Sequence, residues 1–143
     1  MVREVRNDEY QQLMELYLHL HETEIPPEEL TRPLWERLVS DPDYHLIAAE
    51  EDGKLVSSCT CIIIPNLTRG PRPFALVENV VTHSDYRGRG LATACLDYAK
   101  QIAISENCTR LMLMTGSKLE STLRFYERAG YSRTEKTGFT QWL

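Results

Sequence analysis

The chain has 143 residues, 42% hydrophobic and 26% charged, which is typical of one folded domain with a full core. Its formal net charge of −5 would repel a phosphate-rich polymer, so we expect no nucleic-acid partner. No apolar run reaches the length of a membrane span, and the first residues lack the apolar core of a signal peptide. We therefore expect one domain over residues 1–143 that acts in the cytoplasm, with no membrane partner.

Periodicity in the first half of the chain predicts a short strand, two helices and a β-hairpin. Prolines separate the two helices because proline cannot continue a helix, and Asp52-Gly53 supplies the turn of the hairpin. The predicted bounds are 2–5 for the first strand, 7–20 and 31–39 for the helices, and 44–50 and 55–65 for the hairpin strands.

The stretch 76–97 organises the rest of the chain, since a strand there runs through a cationic, glycine-bearing turn into a helix. The turn contains Arg87-Gly88-Arg89-Gly90, and helical periodicity starts at Leu91. The first N–H groups of a helix have no intrahelical partner, and glycines let a ligand approach the backbone, so the turn predicts an anion site. Downstream we predict a strand at 111–114, a helix from a capping box at Ser117 to Arg128, and closing strands at 131–134 and 137–143.

The cysteines predict no metal site. Cys59, Cys61, Cys95 and Cys108 have no Cys-x-x-Cys spacing, and no His-x-x-x-His pair accompanies them. We interpret all of them as free thiols, packed in the interior as small apolar groups.

Two motifs show a resemblance to a known family. Arg87, Gly90 and Ala92 form Arg-x-x-Gly-x-Ala, and residues 125–131 read FYERAGY. Both are similar to motifs of the GNAT family of N-acetyltransferases. Other phosphate-binding patterns do not match, because Thr93 stands where the dinucleotide fingerprint has its third glycine and no Gly-Lys-Ser/Thr closes a P-loop.

The predicted order β-α-α-β-β-β-α-β-α-β-β is also that of the acetyltransferase fold. We therefore expect an α/β (α+β) fold, with a mixed central sheet of about six to seven strands flanked by about four helices. This order follows from periodicity alone, whereas the motifs that carry the resemblance lie between residues 76 and 131.

The resemblance implies acetyl-CoA as co-substrate, bound mainly by backbone groups. The amides of residues 89–93 would hold its pyrophosphate, and the backbone at 80–82 would bind the pantetheine arm and polarise the acetyl carbonyl. Relatives often place an Asn on this arm where Leu119 stands here, and Thr122 or Ser117 is the candidate replacement. The residues implied in binding acetyl-CoA are Val80, Val81, Thr82, Arg87, Arg89, Gly90, Leu91, Ala92 and Thr93.

Two residues are candidates for proton transfer in a direct attack of an amine on the thioester, without a metal or a covalent enzyme intermediate. Tyr126 would protonate the departing thiolate, because a phenol with a pKa of about 10 is protonated at neutral pH. Its alternative role is packing in the core. Glu78 would take a proton from the incoming ammonium, directly or through water. Its alternative role is an ion pair on an exposed strand face.

The resemblance implies that the break between the first two helices, together with the central strand, forms the acceptor side of the cleft. Residues 19–29 carry four glutamates and no lysine or arginine, a field that attracts a cationic amine and disfavours a phosphate. Glu22 and Glu24, with Asn79 from the central strand, are the candidate acceptor-binding residues, and the predicted acceptor is a small primary amine.

Other functions stay open at this point. Residues 77–81 resemble the glucosamine-phosphate acetyltransferase branch of the family, which would imply a phosphorylated amino sugar as acceptor. Protein N-termini or lysines are a further class of acceptor. A non-catalytic acyl-CoA-binding sensor or scaffold would use the same anion site but would need neither Tyr126 nor Glu78. The sequence leaves open whether the chain forms a homodimer.

Overall fold

The computed structural model describes residues 1–143 and has one mixed β-sheet between two layers of helices. The strands are β1 (Val2–Glu4), β2 (Tyr44–Glu51), β3 (Lys54–Ile64), β4 (Phe74–Thr82) and β5 (Leu111–Leu113), and the helices are α1 (Tyr10–Tyr17), α2 (Glu28–Ser40), α3 (Leu91–Ser105) and α4 (Glu120–Arg128). The strands lie in chain order, and only β4 and β5 run parallel to each other. None of the helices has both the length and the apolarity to cross a bilayer.

A hydrophobic cluster lies on each face of the sheet. Helices α1 and α2 cover one face, where Trp35 packs in one cluster with Leu46 of β2. Helices α3 and α4 cover the other face, where Leu96 and Phe125 pack in one cluster with Ile47. Side chains alternate along a strand, so the neighbours Leu46 and Ile47 enter opposite clusters. The burial of both faces places β4 between the two helix layers.

Strand β4 contains a bulge at Asn79. Thr60 of β3 faces Glu78 and Ser58 faces Val81, so β4 has one more residue than β3 over this interval. Asn79 has a φ of 53°, a left-handed conformation that asparagine adopts more readily than most residues with a side chain. Strand β5 pairs only with residues 75–77, so the rest of β4 has no strand neighbour on that side. A cleft therefore opens beside the end of β4.

The closing strands predicted at 131–134 and 137–143 are wrong, since the chain after Gly130 forms no strand. The sheet has five strands instead of six or seven. Tyr131 is half-buried, but the residues after it are exposed, Phe139 and Trp142 by 90% and 92%, so this part of the chain buries no continuous apolar face against the sheet. β-Branched and aromatic residues favour a strand mainly through packing against neighbours, and that packing is absent here.

The capping box predicted at Ser117 is also wrong. Helix α4 starts at Glu120 with Leu119 as its N-cap, and no side chain caps it. The Ser117 hydroxyl instead donates to Thr122 Oγ1 at 3.1 Å and accepts from the Leu119 N–H. Ser117 and Thr122, the two candidate replacements for the family's Asn, are therefore hydrogen-bonded to each other.

Candidate active site

The turn before α3 has the backbone geometry expected of the predicted anion site. Gly88 and Gly90 have φ values of 74° and 77°, a conformation that strains residues with a side chain. Gly90 is the N-cap of α3, and its carbonyl accepts the first helical bond from Ala94. The backbone N–H groups of residues 89–93 consequently have no hydrogen-bond partner. A row of free donors at the positive end of a helix dipole suits a diphosphate.

Both arginine side chains of this turn contact protein groups. Arg89 Nη1 donates to Glu51 Oε2 at 3.2 Å, and its guanidinium lies 4.8 Å from the centre of the Tyr86 ring. Arg87 Nε donates to the Thr82 carbonyl at 3.3 Å. These contacts hold the shape of the turn and leave the backbone amides as its free donors.

The last residues of β4 do not all face the cleft. The His83 N–H donates to the Val56 carbonyl, and Ser57 Oγ donates to the Val81 carbonyl at 3.0 Å, so these groups point towards β3. Backbone polar groups alternate in direction along a strand, which turns those of Val80 and Thr82 towards the open side. Of the three residues expected to bind the pantetheine arm, Val80 and Thr82 lie at the cleft, while Val81 faces the sheet.

Tyr126 of α4 is half-buried against the α3 side of the sheet. Its ring makes edge contacts with Phe125 and Tyr131, at centroid distances of 4.9 and 6.4 Å. Burial raises the pKa of the Tyr126 phenol, and Cys59 and the charge on Glu78 raise it further. The phenol therefore stays protonated around neutral pH, which is the state that a general acid needs.

Glu78 is half-buried in β4 and faces Thr60 of β3. It takes part in none of the ion pairs of the structure, so the alternative role as an exposed ion pair has no partner residue. Its charge raises the pKa of both Tyr126 and Tyr44, so the carboxylate lies within electrostatic reach of both phenols. Tyr126 packs with the cluster on the α3 side and Tyr44 with the cluster on the α1 side, so the charge of Glu78 acts on a phenol on each face of the sheet.

The predicted acceptor residues line one cavity. It has a volume of about 210 Å³ and lies between α1, the bulge of β4 and the α1–α2 segment, residues 18–27. Burial raises the pKa of Tyr17 to about 12, so its phenol is a neutral polar group in the wall. Two carboxylates and no cationic side chain in the wall suit an ammonium group. The lining residues are Met14, Tyr17, Leu20, Glu22, Glu24, Pro26 and Asn79.

A larger cavity of about 870 Å³ lies elsewhere, along the free edge of β5. The tail after Gly130 forms one wall, and Tyr126 lies in the lining. The free amides of residues 89–93 are not part of it. This cavity lies along the edge of β5 that no strand covers.

Sequence reasoning missed Tyr17 and a pair of histidines. The rings of His19 and His83 stack with their centroids 4.1 Å apart, and the Ser84 N–H donates to His19 Nδ1 at 3.3 Å. The pair joins the α1–α2 segment to the turn before α3. No local pattern could reveal this contact, because the residues are far apart in the chain. Tyr17 belongs to the apolar stripe of α1, which resembles that of any core-facing helix.

Comparison with known proteins agrees with the two motifs. Residues 10–131 match the model of the family described as "Acetyltransferase (GNAT) family". A solved structure from Agrobacterium tumefaciens str. C58, described provisionally as an acetyltransferase, has a TM-score of 0.94 and 33% identity, covering 100% of this chain and 99% of that one. The expected acetyltransferase-type architecture is confirmed, apart from the closing strands.

Two curated relatives have related names. A glucosamine 6-phosphate N-acetyltransferase of Trypanosoma brucei brucei is 34% identical over 84 residues, which is 59% of this chain and 55% of that protein. An N-acetyltransferase of Methanocaldococcus jannaschii, itself uncharacterised, is 24% identical over 140 residues, which is 94% of this chain and 61% of that protein. The chain thus spans less than two thirds of the length of either relative.

Proposed function

The chain belongs to the acetyltransferase (GNAT) family, and on that premise we propose that it transfers the acetyl group of acetyl-CoA to a small cationic amine without a phosphate. The observation that carries this choice of acceptor is the cavity that Glu22, Glu24 and Asn79 line together beside the β4 bulge. Its carboxylates attract an ammonium and repel a phosphate.

Backbone groups would hold acetyl-CoA. The free amides of residues 89–93 offer N–H donors, at the positive end of the α3 dipole, to the oxygens of a diphosphate. The backbone of Val80 and Thr82 faces the open side of β4, where an extended arm can add hydrogen bonds as a strand would. An amide there would also polarise the acetyl carbonyl. Binding through amides leaves the side chains of the cleft for the chemistry.

Proton transfer is assigned to Glu78 and Tyr126. Glu78 removes a proton from the acceptor ammonium, so that the nitrogen lone pair can attack the thioester carbon. The C–S bond then breaks, and Tyr126 donates its proton to the departing sulfur. The nitrogen loses a second proton, which restores the phenol, and the proton held by Glu78 passes to solvent. The overall reaction releases one proton.

Direct attack agrees with the state of the thiols. Burial raises the pKa of Cys61 to about 12 and of Cys95 to about 11, and raises that of Cys59 as well. A neutral thiol is a poor nucleophile, so none of these residues suits a covalent acetyl intermediate. All four cysteines are free, which agrees with the reducing cytoplasm that we propose as the location.

Replacing Glu22 and Glu24 together by Gln is expected to raise the acceptor KM and to leave acetyl-CoA affinity unchanged. The two substitutions remove the negative charge of the cavity and leave the amides of residues 89–93 intact. The wild-type KM should also rise with added salt, since salt screens the attraction between exposed charges.

A matched control changes net charge equally at exposed sites away from the cavity, with Glu36 and Glu106 both replaced by Gln. Steady-state kinetics measures the acceptor KM of both double variants and of wild type. A cavity variant with the KM of the control would remove Glu22 and Glu24 from the acceptor site.

Glu78→Gln is expected to reduce turnover most at low pH. Without a base only the small fraction of unprotonated amine can react, and that fraction grows as the pH rises. The ratio of wild-type to variant turnover should therefore fall steadily with increasing pH. A ratio that stays constant with pH would show that Glu78 does not accept the proton.

The second candidate acceptor is an amino-sugar phosphate. The name of the Trypanosoma brucei brucei relative and the resemblance of residues 77–81 favour it, whereas the charge of the cavity opposes it. An assay of thiol release distinguishes an unphosphorylated amine from an amino-sugar phosphate as acceptor. The panel of acceptors contains glucosamine and glucosamine 6-phosphate as a matched pair, together with polyamines, amino acids and peptides. Transfer to glucosamine 6-phosphate alone would reverse the choice of acceptor, and transfer to peptides alone would point to protein N-termini or lysines.

A further inference from the structure

We propose that His19 is a positioning residue that holds the α1–α2 segment against the turn before α3 through its contact with His83, and that protonation of this histidine pair releases the segment. The rings stack with a centroid distance of 4.1 Å and an interplanar angle of 35°. The Ser84 N–H donates to His19 Nδ1 at 3.3 Å. One side chain of the segment thus makes both a stacking contact and a hydrogen bond to the turn.

The α1–α2 segment has few other polar attachments. The N–H groups of residues 18–20 bond back to α1, which only continues the helix by a turn. From His21 to Pro26 neither the backbone nor a side chain makes a hydrogen bond to the rest of the protein. Leu20 is half-buried against the α1 side of the sheet. The position of Glu22 and Glu24 therefore depends on the apolar packing of the segment and on the contact that His19 makes.

Each ring accepts a backbone hydrogen bond at Nδ1, which requires a lone pair on that nitrogen. The Asp85 N–H donates to His83 Nδ1 at 3.2 Å, as the Ser84 N–H does to His19 Nδ1. A protonated imidazole has no lone pair left, since both of its nitrogens are donors. Protonation of either ring therefore breaks its hydrogen bond and sets two N–H groups against each other. Protonation of both rings adds repulsion between two stacked cations.

Most of the charged and titratable groups around His83 lower the pKa of its ring. Lys54 Nζ of β3 lies 3.4 Å from His83 Nε2, Arg87 and Asp85 belong to the same turn, and His19 faces the ring from the segment. Burial, then His19, Lys54 and Arg87, lower the pKa of His83, and Asp85 partly opposes them. Because the docked state holds the neutral ring, docking is complete above the ordinary histidine pKa of about 6.5 and weakens as the pH falls below it. Besides His19, the titratable side chains of the segment are His21, Glu22 and Glu24.

Release of the segment would displace two carboxylates of the acceptor cavity and leave the free amides of residues 89–93 unchanged. This consequence rests on the proposed function, whereas the docking itself does not. We expect the acceptor KM to rise as the pH falls from 7.5 to 5.5, by up to about tenfold, because roughly a tenth of a group with a pKa of 6.5 remains neutral at pH 5.5. The KM for acetyl-CoA should change little.

The test compares wild type with His19→Asn, His19→Ala and His21→Asn. An Asn amide oxygen can accept the Ser84 N–H and does not titrate, so His19→Asn should keep the acceptor KM independent of pH over this range. His19→Ala loses the hydrogen bond and should have a raised KM at both pH values. His21 is exposed and makes no hydrogen bond, so His21→Asn should behave as wild type. A His19→Asn enzyme that keeps the wild-type pH dependence would overturn the proposal.

Nuclear magnetic resonance can show, without any enzymatic reaction, whether the α1–α2 segment is held against the turn before α3. The amide resonances of the α1–α2 segment should move towards random-coil positions between pH 7.5 and 5.5 in wild type and His21→Asn, and stay in place in His19→Asn. Resonances that do not move in wild type, or that move equally in His19→Asn, would contradict the proposal. If no amine is acetylated, the proposed function fails, but these resonances still decide whether the histidine pair holds the segment.

Discussion

Ala92→Asp is expected to abolish acetyl-CoA binding without unfolding the protein. The Ala92 N–H is one of the free donors in the first turn of α3, so the new carboxylate would lie beside the bound diphosphate. Like charges placed together in an interface cost several kcal/mol, which corresponds to a loss of affinity of at least about 100-fold. An acidic residue near a helix N-terminus favours the helix itself by about 0.3–1 kcal/mol, so the melting temperature should not fall.

The matched control is Ala92→Asn, which has nearly the same size as the aspartate variant and no charge. Isothermal titration calorimetry measures the affinity of the Asp and Asn variants for acetyl-CoA and for coenzyme A. The Asn variant should keep a larger share of wild-type affinity, because only the Asp variant introduces repulsion. An Asp variant that is folded and binds acetyl-CoA normally would show that the first turn of α3 does not hold the pyrophosphate.

Tyr126→Phe is expected to lower turnover on the order of 10²-fold, the usual share of one general acid, with acetyl-CoA affinity nearly unchanged. The substitution removes the hydroxyl and keeps the ring that packs against Phe125 and Tyr131. Because burial raises the pKa of Tyr126, the wild-type enzyme should keep its acid up to at least the ordinary tyrosine pKa of about 10. Activity lost on the alkaline side below that value would have another cause.

Tyr131→Phe is the matched control for Tyr126→Phe. Tyr131 is also half-buried, its pKa is also raised by burial, and its ring contacts that of Tyr126. Turnover should be close to wild type in this variant. If Tyr131→Phe were the slow enzyme, the general acid would be Tyr131. If neither variant were slow, both tyrosines would be packing residues and the sensor function would gain support.

The part of the site that sequence could predict is local. Gly88 and Gly90 predict a turn with left-handed residues, and the change of period at Leu91 predicts a helix start. Together they predict free N–H groups, because any helix leaves its first donors unpaired. The structure has these features at the predicted positions. The concentration of glutamates between residues 19 and 29 can also be read without coordinates, whereas the position of this segment beside Asn79 was implied only by the resemblance to the family.

The rest depends on contacts between distant parts of the chain. His19 and Ser84 are 65 residues apart, so no periodicity or motif links them. The bulge at Asn79 depends on the register of β4 against β3, which the sequence of one strand does not determine. The tail after Gly130 has the composition of a strand, but a strand also needs a face to bury, and Trp142 remains exposed.

The most direct test of the proposed activity is amine-dependent release of coenzyme A. Purified protein is mixed with acetyl-CoA, with and without the amines of the panel, and free thiol and acetylated amine are both measured. The expected result is many turnovers that require an unphosphorylated amine, with one acetyl group on the amine for each thiol released. Protein that binds acetyl-CoA in calorimetry but releases no thiol with any amine would be an acyl-CoA-binding module, and the catalytic roles of Tyr126 and Glu78 would both be wrong.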